Sequence, residues 1–179
     1  MNDDKIIVKS ILTGDAGSFE KLVKTHYAKL LGFLCKMGLD TEDAKSLARE
    51  LFVKAYRNLP RYDDLWEFST WLYKIAVTGV KSFKKKNMHS MISIDDLPEF
   101  LRAPDAASNG DPDAESLNSL LSAIHDDDRS MLILHYYNRF PLREIGRIYG
   151  LSADSVKMVL YRAREALLRI TALAERGNA

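Results

Sequence analysis

Apolar residues recur with helical spacing along nearly the whole chain, and no segment alternates with the period of a β-strand. In the N-terminal half, Gly14, Gly38 and Pro60 mark helix boundaries. The helices predicted there span residues 4–12, about 18–37, 41–59 and about 68–86. Asp15 or Ser18 could cap the second of them. This pattern indicates an all-α fold.

The C-terminal half shows the same spacing and a recognisable turn. Helices are predicted over residues 114–124, 127–137, 142–149 and 153–174. Gly150 suits the left-handed residue that ends a helix, and Ser152 is a ready N-cap for the next one. Gly146 has no side chain, which would let the second helix cross closely over the first. These features together are the helix-turn-helix pattern, whose second helix lies in the DNA major groove.

The periodic pattern stops between these two groups of helices. Residues 88–112 contain prolines, acids and a Ser-Asn-Gly sequence, a composition typical of a poorly ordered linker. We therefore expect two small helical domains, residues 1–87 and 113–179, joined by a flexible acidic linker. The second domain contains the helix-turn-helix.

The net charge of +1 conceals an uneven distribution of charge along the 179 residues. Lysines form a basic block at residues 81–86, acids dominate residues 95–128, and bases again outnumber acids over residues 129–169. Two basic segments flanking an acidic one are compatible with a nucleic-acid partner even though the average charge is small.

The second helix of the helix-turn-helix presents a candidate DNA-binding surface. If Val156, Leu160 and Ala163 face the core, its outward positions begin at the N-terminal end, where major-groove contacts are made. The residues assigned to this surface are Ser152, Ala153, Asp154, Lys157, Met158, Tyr161, Arg162 and Arg164. A plain helical hairpin with a solvated basic face is the alternative. The coincidence of turn, cap, small residue and basic face favours DNA binding.

A second group combines aromatic rings with cations. Its members are Arg61, Tyr62, Trp66, Phe68, Trp71, Lys74, Lys81, Lys84 and Lys85. Rings can stack on unpaired bases while cations hold the backbone of a single strand. Alternatively, rings at helical spacing are core residues, and this alternative is favoured for Phe68, Trp71 and Ile75. Tyr62 and Trp66 fall in a polar turn and are better candidates for exposure.

No pattern for catalysis, metal binding or cofactor binding is found in the sequence. The consecutive acids Asp126, Asp127 and Asp128 fan around a predicted helix start, where capping explains them better than a metal does. No apolar run is long enough to span a bilayer, and no secretory leader is recognised. We therefore expect a cytoplasmic protein that is not an enzyme, takes no cofactor and makes no membrane contact of its own.

Segments from both halves resemble the extracytoplasmic-function (ECF) group of the bacterial RNA polymerase sigma-70 family. They are GDAGSFEKLVKTHY, EDAKSLARELFVKAYRNLPRYD, FSTWLYKIA and LREIGRIYGLSADSVKMVLYRAREAL, which lie within residues 4–168. The resemblance implies an alternative sigma factor that binds core RNA polymerase, recognises promoter DNA and promotes initiation. It also implies regulation by an anti-sigma factor.

The resemblance further implies a role for each region. Residues 43–56 would dock on the clamp helices of the polymerase's largest subunit. The residues implied in that contact are Asp43, Ser46, Leu47, Arg49, Glu50 and Phe52. Residues 61–67 and 68–86, which contain the aromatic and basic group, would melt and capture the minus-ten promoter element. The helix-turn-helix would bind the minus-thirty-five duplex.

Two alternatives stay open. The family usually carries acids where Lys45 and Ser46 stand and glutamine where Arg49 stands. This departure motivates a sigma-like DNA-binding regulator without full polymerase docking. A DNA-processing enzyme such as a recombinase is the other alternative, and the lack of a convergent pair of acids speaks against it.

Overall fold

The computed structural model describes residues 3–91 and 119–177, with side chains over residues 3–87 and 119–173. Within these residues the secondary structure is helical and contains no β-strand, which confirms the all-α prediction. The helices are α1 (Asp3–Leu12), α2 (Phe19–Lys36), α3 (Thr41–Asn58), α4 (Phe68–Met91), α5 (Asp126–Leu132), α6 (Leu142–Tyr149) and α7 (Ala153–Gly177). Helical residues at 119–122 belong to the helix predicted over 114–124, whose beginning lies outside the described residues.

Helix α3 begins at a capping residue, whereas neither Asp15 nor Ser18, the residues predicted to cap α2, makes a side-chain capping hydrogen bond. The side chain of Asp40 accepts a 2.8 Å hydrogen bond from the backbone N–H of Asp43 and caps α3. Gly38 follows α2 with a φ of 90°, in the left-handed region that favours glycine. The backbone of α4 continues to Met91, into the segment predicted to be linker, because residues 87–91 contain neither glycine nor proline.

The N-terminal domain is a bundle in which α2, α3 and α4 pack together and α1 lies against α2. Its interior consists of fully or almost fully buried apolar side chains. They include Leu22, Leu30, Phe33, Leu34, Leu51, Phe68 and Leu72. Burial of each large apolar side chain is worth about 1.5–3 kcal/mol, so the bundle is stabilised mainly by this core.

The helix predicted over residues 127–137 differs from a regular α-helix in its last turn. It begins one residue earlier, and residues 133–137 form a π-helical turn in which the N–H of Asn138 donates to the carbonyl of Ile133 at 3.0 Å. The chain then reverses at Arg139, whose φ is 64°. This reversal places the ring of Phe140 against Tyr73 of α4, with the ring centroids 4.9 Å apart.

Helices α6 and α7 form the predicted helix-turn-helix. Val156, Leu160 and Ala163 are buried, as their spacing predicts. Gly150 has a φ of 70° at the C-terminus of α6. The hydroxyl of Ser152 accepts a 3.0 Å hydrogen bond from the backbone N–H of Ser155. Turn and cap are therefore confirmed.

Gly146 is required to lack a side chain, as predicted, but the predicted reason was wrong. A Cβ at this position would lie 2.5 Å from the carbonyl oxygen of Leu151. The glycine makes room for the backbone of the turn, which folds back over α6, rather than for the crossing of the second helix.

The two domains pack against each other, with α6 on α4 and the π-helical turn on α2. Arg129 is only 4% exposed, and its Nε donates to the carbonyl of Lys36 at 2.7 Å. The hydroxyl of Thr70, which is fully buried, donates to Glu144 at 2.7 Å. Buried apolar residues of both domains form one continuous core.

We expect Gly146→Ala to destabilise the protein by about 1–3 kcal/mol, because the added methyl group meets backbone that cannot move aside. Urea denaturation followed by circular dichroism measures the change. Gly17→Ala is the control, since a Cβ there meets no atom closer than 3.6 Å. Equal denaturation midpoints for Gly146→Ala and the unmodified protein would contradict the assignment.

Candidate nucleic-acid interface

The outward face of α7 is exposed where the sequence predicts the DNA-binding surface. The solvent-exposed residues on it are Ser152, Ala153, Asp154, Lys157, Met158, Tyr161, Arg162 and Arg164. They lie at the N-terminal part of a helix that is held from behind by its buried apolar residues. An exposed, partly basic helix start fixed on a rigid turn has the geometry of a recognition helix.

A second candidate surface lies beside the start of α4. The ring of Trp66 borders a crevice of about 440 Å³ whose walls include Arg61, Trp71, Lys74 and Ile75. The ammonium of Lys74 lies 4.8 Å from the centroid of the Trp66 ring, within the range of a cation–π interaction. Rings and cations therefore share one opening to solvent, a combination that can bind unpaired bases.

Tyr62 holds the loop before α4 in place. Its hydroxyl donates a short hydrogen bond to the carbonyl of Trp66, and its ring packs edge-on against Trp71 at 5.4 Å. Burial raises the pKa of Tyr62 to about 12. Tyr62 is thus half-buried and shapes the loop around Trp66, so its predicted exposure holds only in part.

Phe68 is a member of the candidate DNA-binding group, but the structure shows that it is a core residue, the alternative that its helical spacing favours. Its side chain is 0% exposed and packs against Trp71 and His26, with ring centroids 5.9 and 5.4 Å away. A fully enclosed ring cannot stack on a base. Trp71 is half-buried and reaches the crevice, so the core alternative applies to Phe68 but only in part to Trp71.

The basic block of α4 is paired with acids from the start of α5. Lys81 lies 2.7 Å from a carboxylate oxygen of Asp127, and Lys84 lies 2.6 Å from one of Asp126. Lys85 is exposed on the same helix. Capping does not explain these acids, because His125 is the residue that caps α5. The pairing joins residues more than forty positions apart, which no local signal could reveal.

The face of α3 that is implied in polymerase docking divides into surface and core. Ser46, Arg49 and Glu50 are exposed and Asp43 is half-exposed. Leu47 is buried and lies in the core, whereas Phe52 is almost buried but lines the apolar groove beside this face. Both side chains also belong to the apolar core that holds α3 in the bundle.

An apolar groove of about 690 Å³ adjoins this face of α3. Its lining includes Phe19, Val23 and Tyr27 from the region of α2, with Val53 and Tyr56 from α3. Sequence spacing alone did not identify this groove, because it is formed between two helices. Val53 and Tyr56 are exposed apolar side chains on α3, and only the packing of α2 against α3 places them beside Phe19, Val23 and Tyr27.

The described residues contain no cluster of metal-ligating side chains and no helix that is long and apolar enough to cross a membrane. His26 is the one buried histidine among them, and its ring lies 2.8 Å from a carboxylate oxygen of Asp4. This pair ties α1 to α2 and does not face either candidate surface.

Comparison with known proteins assigns both halves of the chain. The family model for sigma-70 region 2 matches residues 22–89, and that for sigma-70 region 4 matches residues 114–167. The RNA polymerase sigma-H factor of Pseudomonas aeruginosa is 26% identical, with 92% of this chain and 91% of the relative covered. The ECF RNA polymerase sigma factor SigW of Bacillus subtilis is 28% identical, with 89% and 92% covered.

Two solved structures share the fold. CnrH, in complex with the cytosolic domain of CnrY, superposes with a TM-score of 0.73 at 22% identity and covers 95% of this chain and 97% of CnrH. RpoE of Bartonella quintana, in complex with the anti-sigma factor NepR, gives a TM-score of 0.69 at 19% identity, with 86% and 96% covered. Since both sigma-70 regions are matched, and relatives align along most of the chain, this protein belongs to the ECF group of the sigma-70 family of RNA polymerase sigma factors.

Proposed function

We propose that this chain is an alternative sigma factor that binds core RNA polymerase, recognises promoter DNA and promotes transcription initiation. One observation carries the proposal: a single chain exposes a recognition helix on α7 and a crevice of rings and cations beside α4, each within its own sigma-70 region. Sigma factors are initiation factors rather than enzymes. We place its action in the cytoplasm, with the polymerase.

In this proposal, α7 recognises the minus-thirty-five element. Lys157 and Arg162 are exposed on its outward face and can donate hydrogen bonds to base edges or phosphates. The hydroxyl of Ser152 caps the helix and lies at its N-terminal end, where a phosphate is favoured by the helix dipole. The buried side of α7 fixes the angle at which this face meets the groove.

The crevice beside α4 would hold bases of the minus-ten element after strand separation. A base that leaves the duplex loses its stacking partners, and the rings of Trp66 and Trp71 can replace them. Arg61 and Lys74 stand at the same opening and can neutralise phosphates. Lys81, Lys84 and Lys85 continue the positive charge along α4.

The exposed face of α3, together with the apolar groove beside it, would dock on the clamp helices of the polymerase's largest subunit. Ser46, Arg49 and Glu50 supply the polar contacts, and Val53 and Tyr56 supply apolar area. Both similar structures are complexes, and one has a named anti-sigma factor as its partner. This motivates an anti-sigma factor as a further partner of this chain.

Run-off transcription with purified core polymerase on genomic DNA fragments tests the proposal. We expect transcripts that start at defined sites and depend on this chain.

A second candidate function is a DNA-binding regulator without full polymerase docking. The unusual residues Lys45, Ser46 and Arg49 on α3 motivate it. Such a regulator would bind upstream duplex but would fail to co-purify with core polymerase, so co-purification separates the two.

Arg162→Ala should weaken binding to duplex from the minus-thirty-five region and reduce the slope of log affinity against log salt by about 0.9, because one phosphate contact is lost. Fluorescence anisotropy over a salt series measures this slope. Arg169→Ala is the control, since this exposed arginine lies about 10 Å further along α7. An unchanged slope for Arg162→Ala would place the DNA on another face of the helix.

Trp66→Ala should leave binding to the minus-thirty-five duplex unchanged but reduce the open complex with core polymerase roughly five- to hundredfold, because one base loses its stacking partner. Permanganate reactivity of unpaired thymines measures strand opening. Leu65→Ala is the matched control, since this neighbouring side chain is 74% exposed. If both variants open DNA equally well, Trp66 is a packing residue only.

A further inference from the structure

The central residues of the loop that carries Trp66, residues 62–67, are held by polar contacts rather than by apolar burial. Asp63 and Leu65 are exposed. Inside the loop, the backbone N–H of Trp66 donates to the carbonyl of Asp63 at 3.0 Å, and that of Leu65 donates to the carboxylate of Asp63 at 2.9 Å. From the other domain, Arg147 donates to the carbonyl of Leu65 at 3.3 Å. The internal bonds shape the turn, so its position relative to α4 depends on contacts from outside the loop.

Lys5 of α1 makes such a contact. Its Nζ donates to the backbone carbonyl of Asp64 at 2.8 Å and lies 3.5 Å from a carboxylate oxygen of Glu67. The bond to the carbonyl is charge-assisted. The ion pair is weak by itself, because the side chains of Lys5 and Glu67 are 32% and 42% exposed. Together the two contacts restrain the loop at positions before and after Trp66 in the sequence.

Helix α1 is a firmly anchored support for Lys5. Val8 is 2% exposed within the core, and a carboxylate oxygen of Asp4 lies 2.8 Å from Nε2 of His26 on α2. Both side chains of that pair are nearly buried. The His26 ring in turn packs against Phe68, the first residue of α4, with the ring centroids 5.4 Å apart. Lys5 is therefore attached to the same core that fixes the start of α4.

The charge of Lys5 also affects how the loop meets nucleic acid. Asp63, Asp64 and Glu67 are three acids within residues 63–67, beside the crevice proposed for a strand that carries phosphates. An ammonium 3.5 Å from the Glu67 carboxylate offsets part of that negative charge. Lys5 therefore restrains the loop and also reduces its repulsion of a strand.

We propose that Lys5 is a positioning residue for strand opening, which holds the loop where Trp66 borders the crevice before a base arrives. The inference rests on the proposed function of that crevice. A base then meets an ordered stacking partner, and the cost of ordering the loop on binding is avoided. The match to sigma-70 region 2 begins at residue 22, so α1 lies outside the matched residues and the family assignment gives Lys5 no role.

Tryptophan fluorescence of the full-length chain tests, without DNA, whether Lys5 orders the loop. The chain contains two tryptophans, so Trp71→Phe leaves Trp66 as the single emitter. In this background, Lys5→Met keeps the apolar stem of the side chain and removes the ammonium. We expect it to raise the acrylamide quenching constant of Trp66 about twofold, because the loop opens more often. Lys9→Met removes the same charge from an exposed position of α1 and should leave quenching unchanged.

Strand opening with core polymerase tests what the contact does. We expect Lys5→Met to reduce the open complex about three- to tenfold, because the stacking partner is no longer preorganised. Its affinity for the minus-thirty-five duplex should not change. Lys9→Met should open DNA like the unmodified chain, and Lys5→Arg, which keeps the charge and the donors, should restore most of the opening. Permanganate reactivity of unpaired thymines measures opening, and urea denaturation checks that each variant is folded.

Three results would overturn the proposal: equal quenching of Trp66 in Lys5→Met and Lys9→Met, equal strand opening by these two variants, or no restoration by Lys5→Arg. Run-off transcription separates such a failure from failure of the proposed function. Promoter-directed transcription that Lys5→Met does not impair would leave the sigma-factor function standing. A difference in quenching, without transcription by the unmodified chain, would show that Lys5 orders the loop but would overturn the proposed function and with it the role in strand opening.

Discussion

The guanidinium of Arg129 lies at the C-terminal end of α2, enclosed by both domains. The last carbonyls of a helix have no partner within the helix and carry partial negative charge, so a cation there is favourable. Burial lowers the pKa of Arg129, and a buried cation is costly without hydrogen bonds. The contact with Lys36 therefore satisfies both groups only while the domains are together.

The surface of α4 contacts acids of the same chain and is also the surface proposed to bind promoter DNA. Lys81 and Lys84 pair with Asp127 and Asp126, and both lysines are within the region matched by sigma-70 region 2. Exposed ion pairs exchange partners at little cost, because water and salt already weaken them. Buried hydrogen bonds such as that between Thr70 and Glu144 keep the geometry defined. The buried hydrogen bonds of this interface therefore fix its geometry, whereas its partly exposed ion pairs can exchange partners.

Local features were predicted well because their causes lie within a few residues. Gly150 has the left-handed backbone and Ser152 the capping hydrogen bond that the sequence indicated. Phe68, for which helical spacing favours the core, is buried, and so is Leu47, which the resemblance implies in polymerase docking. A helical pattern shows which residues share a face, but a helix inside a bundle contacts neighbours on several sides. Only the positions of those neighbours decide which member of a motif reaches solvent.

The sequence by itself determined the helices, the helix-turn-helix and its exposed face, since capping, backbone preference and apolar spacing act over short distances. It also carried the residues by which the family was identified. The tertiary structure alone decided that Asp126 and Asp127 neutralise lysines of α4, and that Arg147 lies over Trp66. These contacts join distant parts of the chain. They depend on how whole helices pack, and packing is a property of the folded domains rather than of any segment.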